Sequence, residues 1–203
     1  MRLILIRHGE TSWNWERRIQ GCRSDTELSQ RGKEQAEKIA LLLGKQKVDA
    51  IYSSPLKRAM DTAQAIAQAY GLEVNVAPEL REIDAGELEG LFEDELGKRY
   101  EGFWREWRKG SPSLPLPGGE SLEGLQRRAW GEIERMMERH PNEIVAVVSH
   151  LFANLAIICQ ALGLDLGNMR RLRQDPAAIN ILEITQRGNS LLLFNDTCHL
   201  EAK

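Results

Sequence analysis

The segment Leu3-Ile4-Leu5-Ile6-Arg7-His8-Gly9-Glu10-Thr11 decides how this chain folds, because four apolar residues are followed at once by charge and glycine. A short apolar run that ends in turn residues is typical of a buried strand. The run is far shorter than the apolar part of a secretory signal or a membrane span. We therefore expect a buried strand over Leu3–Ile6 and a cytoplasmic protein that makes no membrane contact.

Similar apolar runs recur along the chain and alternate with segments of helical periodicity. Strands are predicted over Asp49–Ser53, Leu72–Val76 and Glu143–Val148, and helices over Ser29–Gly44, Pro55–Tyr70, Leu122–Met137 and Phe152–Leu162. The runs Ile179–Ile184 and Leu191–Phe194 predict an antiparallel hairpin. This order predicts an α/β fold, a three-layer sandwich in which helices flank a mostly parallel central sheet with an antiparallel edge strand.

The pattern changes between Gly86 and Gly119, where charged and aromatic residues precede a proline-rich exit. We expect one domain over residues 1–203, with an inserted helical lid at about residues 88–121. The aromatic residues Phe103, Trp104 and Trp107 could contact a substrate or simply pack beneath this lid.

Composition excludes some classes of protein. The 203 residues include 27 basic and 30 acidic ones, a net charge of −3, and the basic residues are dispersed. A nucleic-acid binder would show a basic excess or stripe, so we expect no nucleic-acid partner. Three widely spaced cysteines, Cys22, Cys159 and Cys198, predict neither a disulfide nor a metal site.

Polar clusters follow three of the predicted strands: Arg7-His8-Gly9, Ser53-Ser54-Pro55 leading to Arg58, and Ser149-His150. Ligands of open parallel sheets bind beyond the carboxyl ends of the strands, so we expect these clusters to meet. Helix N-termini and arginine side chains both favour an anion there. The sequence therefore predicts a phosphoryl site.

His8 is the predicted nucleophile, because nearby arginines depress the pKa of an imidazole and keep it neutral. Arg7, Arg58 and His150 would stabilise charge on the phosphoryl oxygens. Glu82 or Asp84 would protonate the leaving oxygen, and only one of them can face the site if their segment is extended. His140 and His199 are expected to play no chemical part.

The motifs resemble the histidine phosphatase superfamily, which has the phosphoglycerate-mutase-like fold. The resemblance rests on LIRHGETSWN at residues 5–14, LSxRGxxQA at 28–36, YSSPLKRAxDTA at 52–63, LREIDAGELEG at 80–90, PGGES at 117–121 and VVSH at 147–150. It implies that His8 is phosphorylated, that Arg7, Arg58 and His150 hold the phosphoryl group, and that Glu82 is the proton donor. It also implies phosphate or substrate contacts from Asn14, Gln20 and Gly21. We expect the reaction to use no metal and no organic cofactor.

Two departures refine this expectation. Mutases of the superfamily typically have a motif like Glu-Arg-His-Tyr-Gly where this chain has Glu82-Ile83-Asp84-Ala85-Gly86. The motif of this chain resembles instead that of the phosphatase members, including the α-ribazole and broad-specificity phosphatases. Leu151-Phe152 stands where small residues often follow the second histidine, and the Leu151 amide remains available for phosphate.

These features predict hydrolysis of a small-molecule phosphomonoester. A mutase-type phosphotransferase and a catalytically silent phosphate-binding protein are the alternatives, and assembly is open between a monomer and a homodimer.

Overall fold

A computed structural model describes residues 1–201, and its centre is a six-stranded sheet in the order β3-β2-β4-β1-β5-β6. The strands are β1 Arg2–Arg7, β2 Ala50–Ser53, β3 Val74–Val76, β4 Ile144–Ser149, β5 Ile179–Thr185 and β6 Gly188–Asp196. Strands β1 to β4 run parallel, β5 is antiparallel to β1, and β6 is antiparallel to β5. The predicted fold class is confirmed.

Helices cover both faces of this sheet. They are α1 Ser12–Trp15, α2 Gln30–Leu43, α3 Lys57–Tyr70, α4 Glu93–Arg99, α5 Glu101–Trp107, α6 Leu122–Arg139, α7 Leu151–Leu162 and α8 Cys198–Glu201. Short 3-10 turns lie at Pro78–Leu80, Gly86–Leu88 and Leu166–Arg171. Capping residues set the ends of the long helices. The Ser29 hydroxyl accepts from the Gly32 amide at the start of α2, and Gly71 ends α3 in the left-handed conformation.

The core has two halves because side chains of β1 alternate between the two faces of the sheet. Leu3 and Leu5 pack with apolar residues of α6 and α7, and Ile4 and Ile6 pack with those of α2 and α3. All four are at most 1% exposed. Burial on both faces explains why β1 is a continuous apolar run rather than an alternating one.

Several boundaries differ from the predictions. The third strand covers Val74–Val76 only, because the Leu72 amide still bonds to the carbonyl of Ala67 at the end of α3. Pro55 does not lie in the first turn of α3; Leu56 has the extended conformation of an N-cap, and the helix begins at Lys57. Strand β6 begins at Gly188 because the hairpin turn contains only two residues, 186 and 187.

The segment between the Gly86–Leu88 turn and α6 carries α4 and α5, which are short helices of seven residues each. Leu96 and Leu116 from this segment pack with α7 residues in a third apolar cluster. Within residues 1–201, no helix is both long and apolar enough to cross a membrane.

Candidate active site

The three predicted polar clusters meet at the carboxyl ends of β1, β2 and β4. Arg7 pairs with Ser149 in the parallel register of β1 and β4, and the His8 amide donates to the Ser149 carbonyl at 3.0 Å. The Ser54 amide donates to the carbonyl of Val148, also at 3.0 Å. Strand pairing therefore brings together side chains that lie far apart in sequence.

His8 is 2% exposed, and its Nδ1 lies 2.7 Å from the Gly9 carbonyl oxygen. A carbonyl can only accept a hydrogen bond, so Nδ1 carries the proton and Nε2 keeps its lone pair. Burial, followed by the charges of Arg58 and Arg7, lowers the pKa of His8 well below 6.5. The imidazole is therefore neutral and oriented, as a nucleophile requires.

Two arginines lie beside this histidine: Arg7, which is partly buried, and Arg58, which is fully buried. The Arg7 Nη1 donates to the Gln174 carbonyl at 2.6 Å, whereas Arg58 donates to the carbonyls of Ser24 and Gly21 at 2.8 and 3.0 Å. Burial lowers the pKa of each arginine to about 10, which leaves both charged at neutral pH. Within the described chain, the Nε atom of each is buried without a hydrogen-bond partner, so an anion would complete the arrangement.

His150 is fully buried, with its ring centroid 5.1 Å from that of His8. Its Nε2 lies 2.8 Å from the Ser54 hydroxyl oxygen, and its Nδ1 is buried with no partner among residues 1–201. Burial, then Arg58, lowers its pKa well below 6.5. If Ser54 donates to Nε2, the neutral ring presents Nδ1–H as a free donor for a phosphoryl oxygen.

The structure separates the two candidate acids. Glu82 is 4% exposed and accepts from the amides of Ile83 at 2.8 Å and Phe152 at 3.1 Å. Burial raises its pKa, against the lowering effect of these amides and the arginines. Asp84 instead forms an ion pair with Arg23 at 2.8 Å, and its side chain is 30% exposed. Glu82 therefore faces the site and Asp84 does not.

A cavity of about 600 Å³ opens from Arg7, His8 and Glu82 towards the surface. Its walls include Trp13, Asn14, Arg17, Arg18, Ile19, Gln20, Leu88, Glu93, Leu96, Trp104, Trp107, Leu116, Leu151 and Phe152. A larger groove of about 1000 Å³ near Met1 and Arg187 contains none of the predicted site residues. We take the smaller cavity as the candidate active site.

The profile of the histidine phosphatase superfamily (branch 1) matches residues 3–197 of this sequence. The chain belongs to the histidine phosphatase superfamily.

Relatives that are similar to this chain are named either as phosphatases or as mutases. Phosphoserine phosphatase 1 of Hydrogenobacter thermophilus is 40% identical, over 98% of this chain and 94% of the relative. A probable phosphoglycerate mutase of Cronobacter sakazakii is 35% identical, over 100% and 96%. Among solved structures, a phosphoserine phosphatase mutant from Entamoeba histolytica in complex with phosphoserine has 31% sequence identity to this chain. The two structures superpose with a TM-score of 0.89, covering 98% of each chain.

This histidine phosphatase places the predicted substrate-binding residues in different positions. Asn14 and Gln20 both line the cavity. The Thr11 amide donates to Asn14 Oδ1, and Gln20 Nε2 donates to the Thr11 hydroxyl oxygen. Leu151 also lines it as the first residue of α7. Gly21, like Arg58 and His150, is not among the lining residues; its carbonyl accepts from Arg58, and an added Cβ would overlap Glu89.

The predicted aromatic residues and the other two histidines differ in their positions relative to the cavity. Trp104 and Trp107 line the cavity, whereas Phe103 packs against the Trp107 ring at 5.7 Å. His140 bonds to Tyr52 and Glu143, away from the site. His199 is buried near the C-terminus and does not line the cavity.

Sequence reasoning missed two contributors to this histidine phosphatase site and the role of a third. Ser54 was placed in a polar cluster, but its bond to His150 depends on a side-chain direction that spacing does not give. Thr62 accepts from the Gly9 amide at 3.1 Å from the first half of α3, so it braces the loop of the nucleophile. Arg17 lines the cavity from a turn whose conformation has no sequence signal.

One cluster of potential metal ligands lies outside the cavity lining. Single ligand atoms of Cys22, Asp84 and Glu89 lie within 4.8 Å of one another. Arg23 pairs with Asp84, and its amide donates to Glu89. These carboxylates already have partners, and we assign no ion to the cluster.

Proposed function

We propose that this protein is a phosphomonoester hydrolase that acts on a small phosphorylated metabolite through a phosphohistidine on His8. The observation that carries the proposal is the state of His8: its pKa is lowered so that it is neutral, the Gly9 carbonyl fixes its Nδ1, and its Nε2 has no hydrogen-bond partner among residues 1–201. The charges of Arg7 and Arg58 lie beside it. A phosphate binder has no need of such a nucleophile together with a buried acid. This argues against the silent alternative.

In the first step, the Nε2 lone pair of His8 attacks phosphorus. Arg7, Arg58 and the Nδ1–H of His150 hold the phosphoryl oxygens while the bond to the leaving oxygen breaks. Protonated Glu82 gives its proton to that oxygen, and the alcohol departs. The raised pKa of Glu82 favours the protonated form that this step needs.

In the second step, the Glu82 carboxylate takes a proton from a water molecule as that water attacks the phosphohistidine. The phosphorus–nitrogen bond breaks, its electron pair returns to Nε2, and inorganic phosphate leaves. Each residue regains its starting protonation state, so the cycle needs neither a metal nor an organic cofactor.

The other site assignments belong to the same proposal. Asn14, Gln20 and the Leu151 amide contact the substrate, whereas Gly21 acts through Arg58. Residues 88–121 form a lid on a single domain, and Trp104 and Trp107 contact the leaving group. The named phosphatase relatives support hydrolysis, and the probable mutase relative makes phosphotransfer the alternative.

The test is phosphate release by purified protein in EDTA from phosphoserine, α-ribazole phosphate, phosphoglycerates and sugar phosphates. Label from a radioactive substrate, quenched without acid, should appear on His8. Absence of phosphate release from every substrate would refute the proposal, as would label retained by His8→Ala. Conversion of 3- to 2-phosphoglycerate faster than hydrolysis would establish the mutase instead.

A further inference from the structure

The cavity wall formed by residues 13–20 carries two arginines that have no part in the proposed phosphoryl chemistry, Arg17 and Arg18. Arg7 and Arg58 are already committed to the phosphoryl group under the proposed function, on which this inference rests. A leaving group attached to that phosphoryl group must extend into the cavity past this wall. A second anionic group on the substrate would therefore need one of the other two arginines.

Arg18 is already engaged by the protein. Its Nε bonds to a Glu16 carboxylate oxygen at 2.6 Å, and its Nη1 donates to the Gly90 carbonyl at 3.3 Å. Its guanidinium carbon also lies 4.2 Å from the centroid of the Phe92 ring. These contacts fix the wall and leave Arg18 little capacity for a ligand.

Arg17 differs in each respect. Its side chain is exposed at the cavity and has neither an ion pair nor a hydrogen bond within the described part of the chain. Its φ of 56° lies in the left-handed region, where a residue other than glycine is strained. The backbone is held on both sides, since its amide bonds to Asn14 at 3.4 Å and its carbonyl accepts from Glu93 at 3.0 Å.

We propose that Arg17 is a specificity-determining residue that binds a carboxylate on the leaving group. A guanidinium presents paired donors that match the two oxygens of a carboxylate. The strained turn holds the Cα of Arg17 between α1 and α4 at the cavity. The substrate class is therefore a phosphomonoester whose alcohol also carries a carboxylate.

Glu93 also lines the cavity. It is the first residue of α4, where a helix N-terminus stabilises negative charge. A substrate ammonium would be attracted to it. A fair test of Arg17 must therefore compare substrates that differ in the carboxylate and are matched in the presence or absence of an ammonium.

Two substrate pairs meet this condition. Phosphoserine and phosphoethanolamine both carry the ammonium, and only phosphoserine has a carboxylate. The compounds 3-phosphoglycerate and glycerol 3-phosphate both lack the ammonium, and glycerol 3-phosphate has a hydroxymethyl group in place of the carboxylate. Values of kcat/KM for both pairs would be measured with wild type, Arg17→Gln, Arg17→Lys and Arg17→Gly. Arg187→Gln is the matched control, because it removes an exposed arginine from the distant β5–β6 turn.

Wild type should favour the carboxylate member of each pair, and Arg17→Gln should lower its kcat/KM by about 10-fold to 100-fold, mainly through KM. The partner substrate should change by less than about 3-fold, and Arg17→Lys should restore part of the preference. Arg17→Gly should lose the preference while folding normally, because glycine suits the left-handed turn. Arg187→Gln should behave as wild type.

Two results would overturn the inference: no wild-type preference for the carboxylate member, or an equal loss for both members in the Arg17 variants. Hydrolysis by wild type would leave the proposed function intact in either case. If wild type hydrolysed none of the four compounds or the wider panel, the proposed function itself would fail, and the Arg17 assignment with it.

Discussion

Replacing Glu82 with glutamine removes the proposed acid while keeping the size of the side chain. The carboxylate now accepts one hydrogen bond on each oxygen, from the amides of Ile83 at 2.8 Å and Phe152 at 3.1 Å. Glutamine offers one oxygen, so its amino group would face the other amide donor. One buried donor left unpaired costs about 1–3 kcal/mol, and we expect the free energy of unfolding to fall by that amount.

The loss of activity should be much larger than the loss of stability. Positioned proton transfer contributes about 10²- to 10⁴-fold to rate, so kcat for an alkyl phosphate such as phosphoserine should fall by that factor in Glu82→Gln. With p-nitrophenyl phosphate the nitrophenolate leaves without a proton, and only the second step still needs Glu82. Stopped-flow absorbance should then show a burst of about one nitrophenolate per site followed by slow turnover.

Asp84→Asn is the matched control, since it changes the neighbouring carboxylate. Asp84 pairs with Arg23 at partly exposed side chains, and such an ion pair contributes about 0–1 kcal/mol. We expect kcat within about 3-fold of wild type and no burst. Equal losses in the two variants, or full activity of Glu82→Gln on phosphoserine at its measured stability, would refute the assignment of Glu82 as the acid.

Three further predictions concern stability and pH. His8 is neutral in the fold, so only the unfolded chain gains a proton there as pH falls below 6.5. Below that pH, the free energy of unfolding measured by urea denaturation should fall by up to about 1.4 kcal/mol more per pH unit in wild type than in His8→Asn. Ser54→Ala removes the hydroxyl beside His150 and should lower kcat/KM by about tenfold or more. It should also lower the free energy of unfolding by about 1–3 kcal/mol, and unchanged steady-state kinetics would contradict this prediction. Gly32→Ala should cost about 1–3 kcal/mol because its Cβ would overlap the Glu10 carbonyl, whereas Gly131→Ala in α6 meets open space and should gain roughly 0.5–1 kcal/mol; thermal melts with similar values for the two would be contrary evidence.

The layers of the fold were predictable because hydrophobic periodicity reports burial directly. The run Leu3–Ile6 is apolar at every position, which marks a strand covered on both faces, and the predicted strand lies within β1. The ends of elements were less predictable, as at Leu72. That residue is apolar and follows the Gly71 turn, but its amide is still used by the end of α3, so the strand starts later.

The candidate site was predictable where residues follow strands and unpredictable where side-chain direction decides. His8, Arg7 and His150 directly continue or end β1 and β4, so sheet geometry brings them together. Gly21 was expected to contact substrate, yet its carbonyl points to Arg58, a backbone direction that no residue type specifies. Arg17 gives no sequence signal either, because an arginine in the left-handed region looks like any other arginine in a turn.

Burial of His8 and Glu82 favours the two protonation states that the first step requires. The first step needs a neutral histidine and a protonated glutamate together, but the ordinary pKa values of 6.5 and 4.5 favour the opposite pair between those pH values. Desolvation disfavours both charged forms, so it lowers the pKa of His8 and raises that of Glu82. Arg7 and Arg58 reinforce the first shift and oppose the second. The reactive pair of protonation states therefore depends on keeping Glu82 dry more than on the arginines, and a substitution that admits water beside Glu82 should slow the reaction without touching the nucleophile.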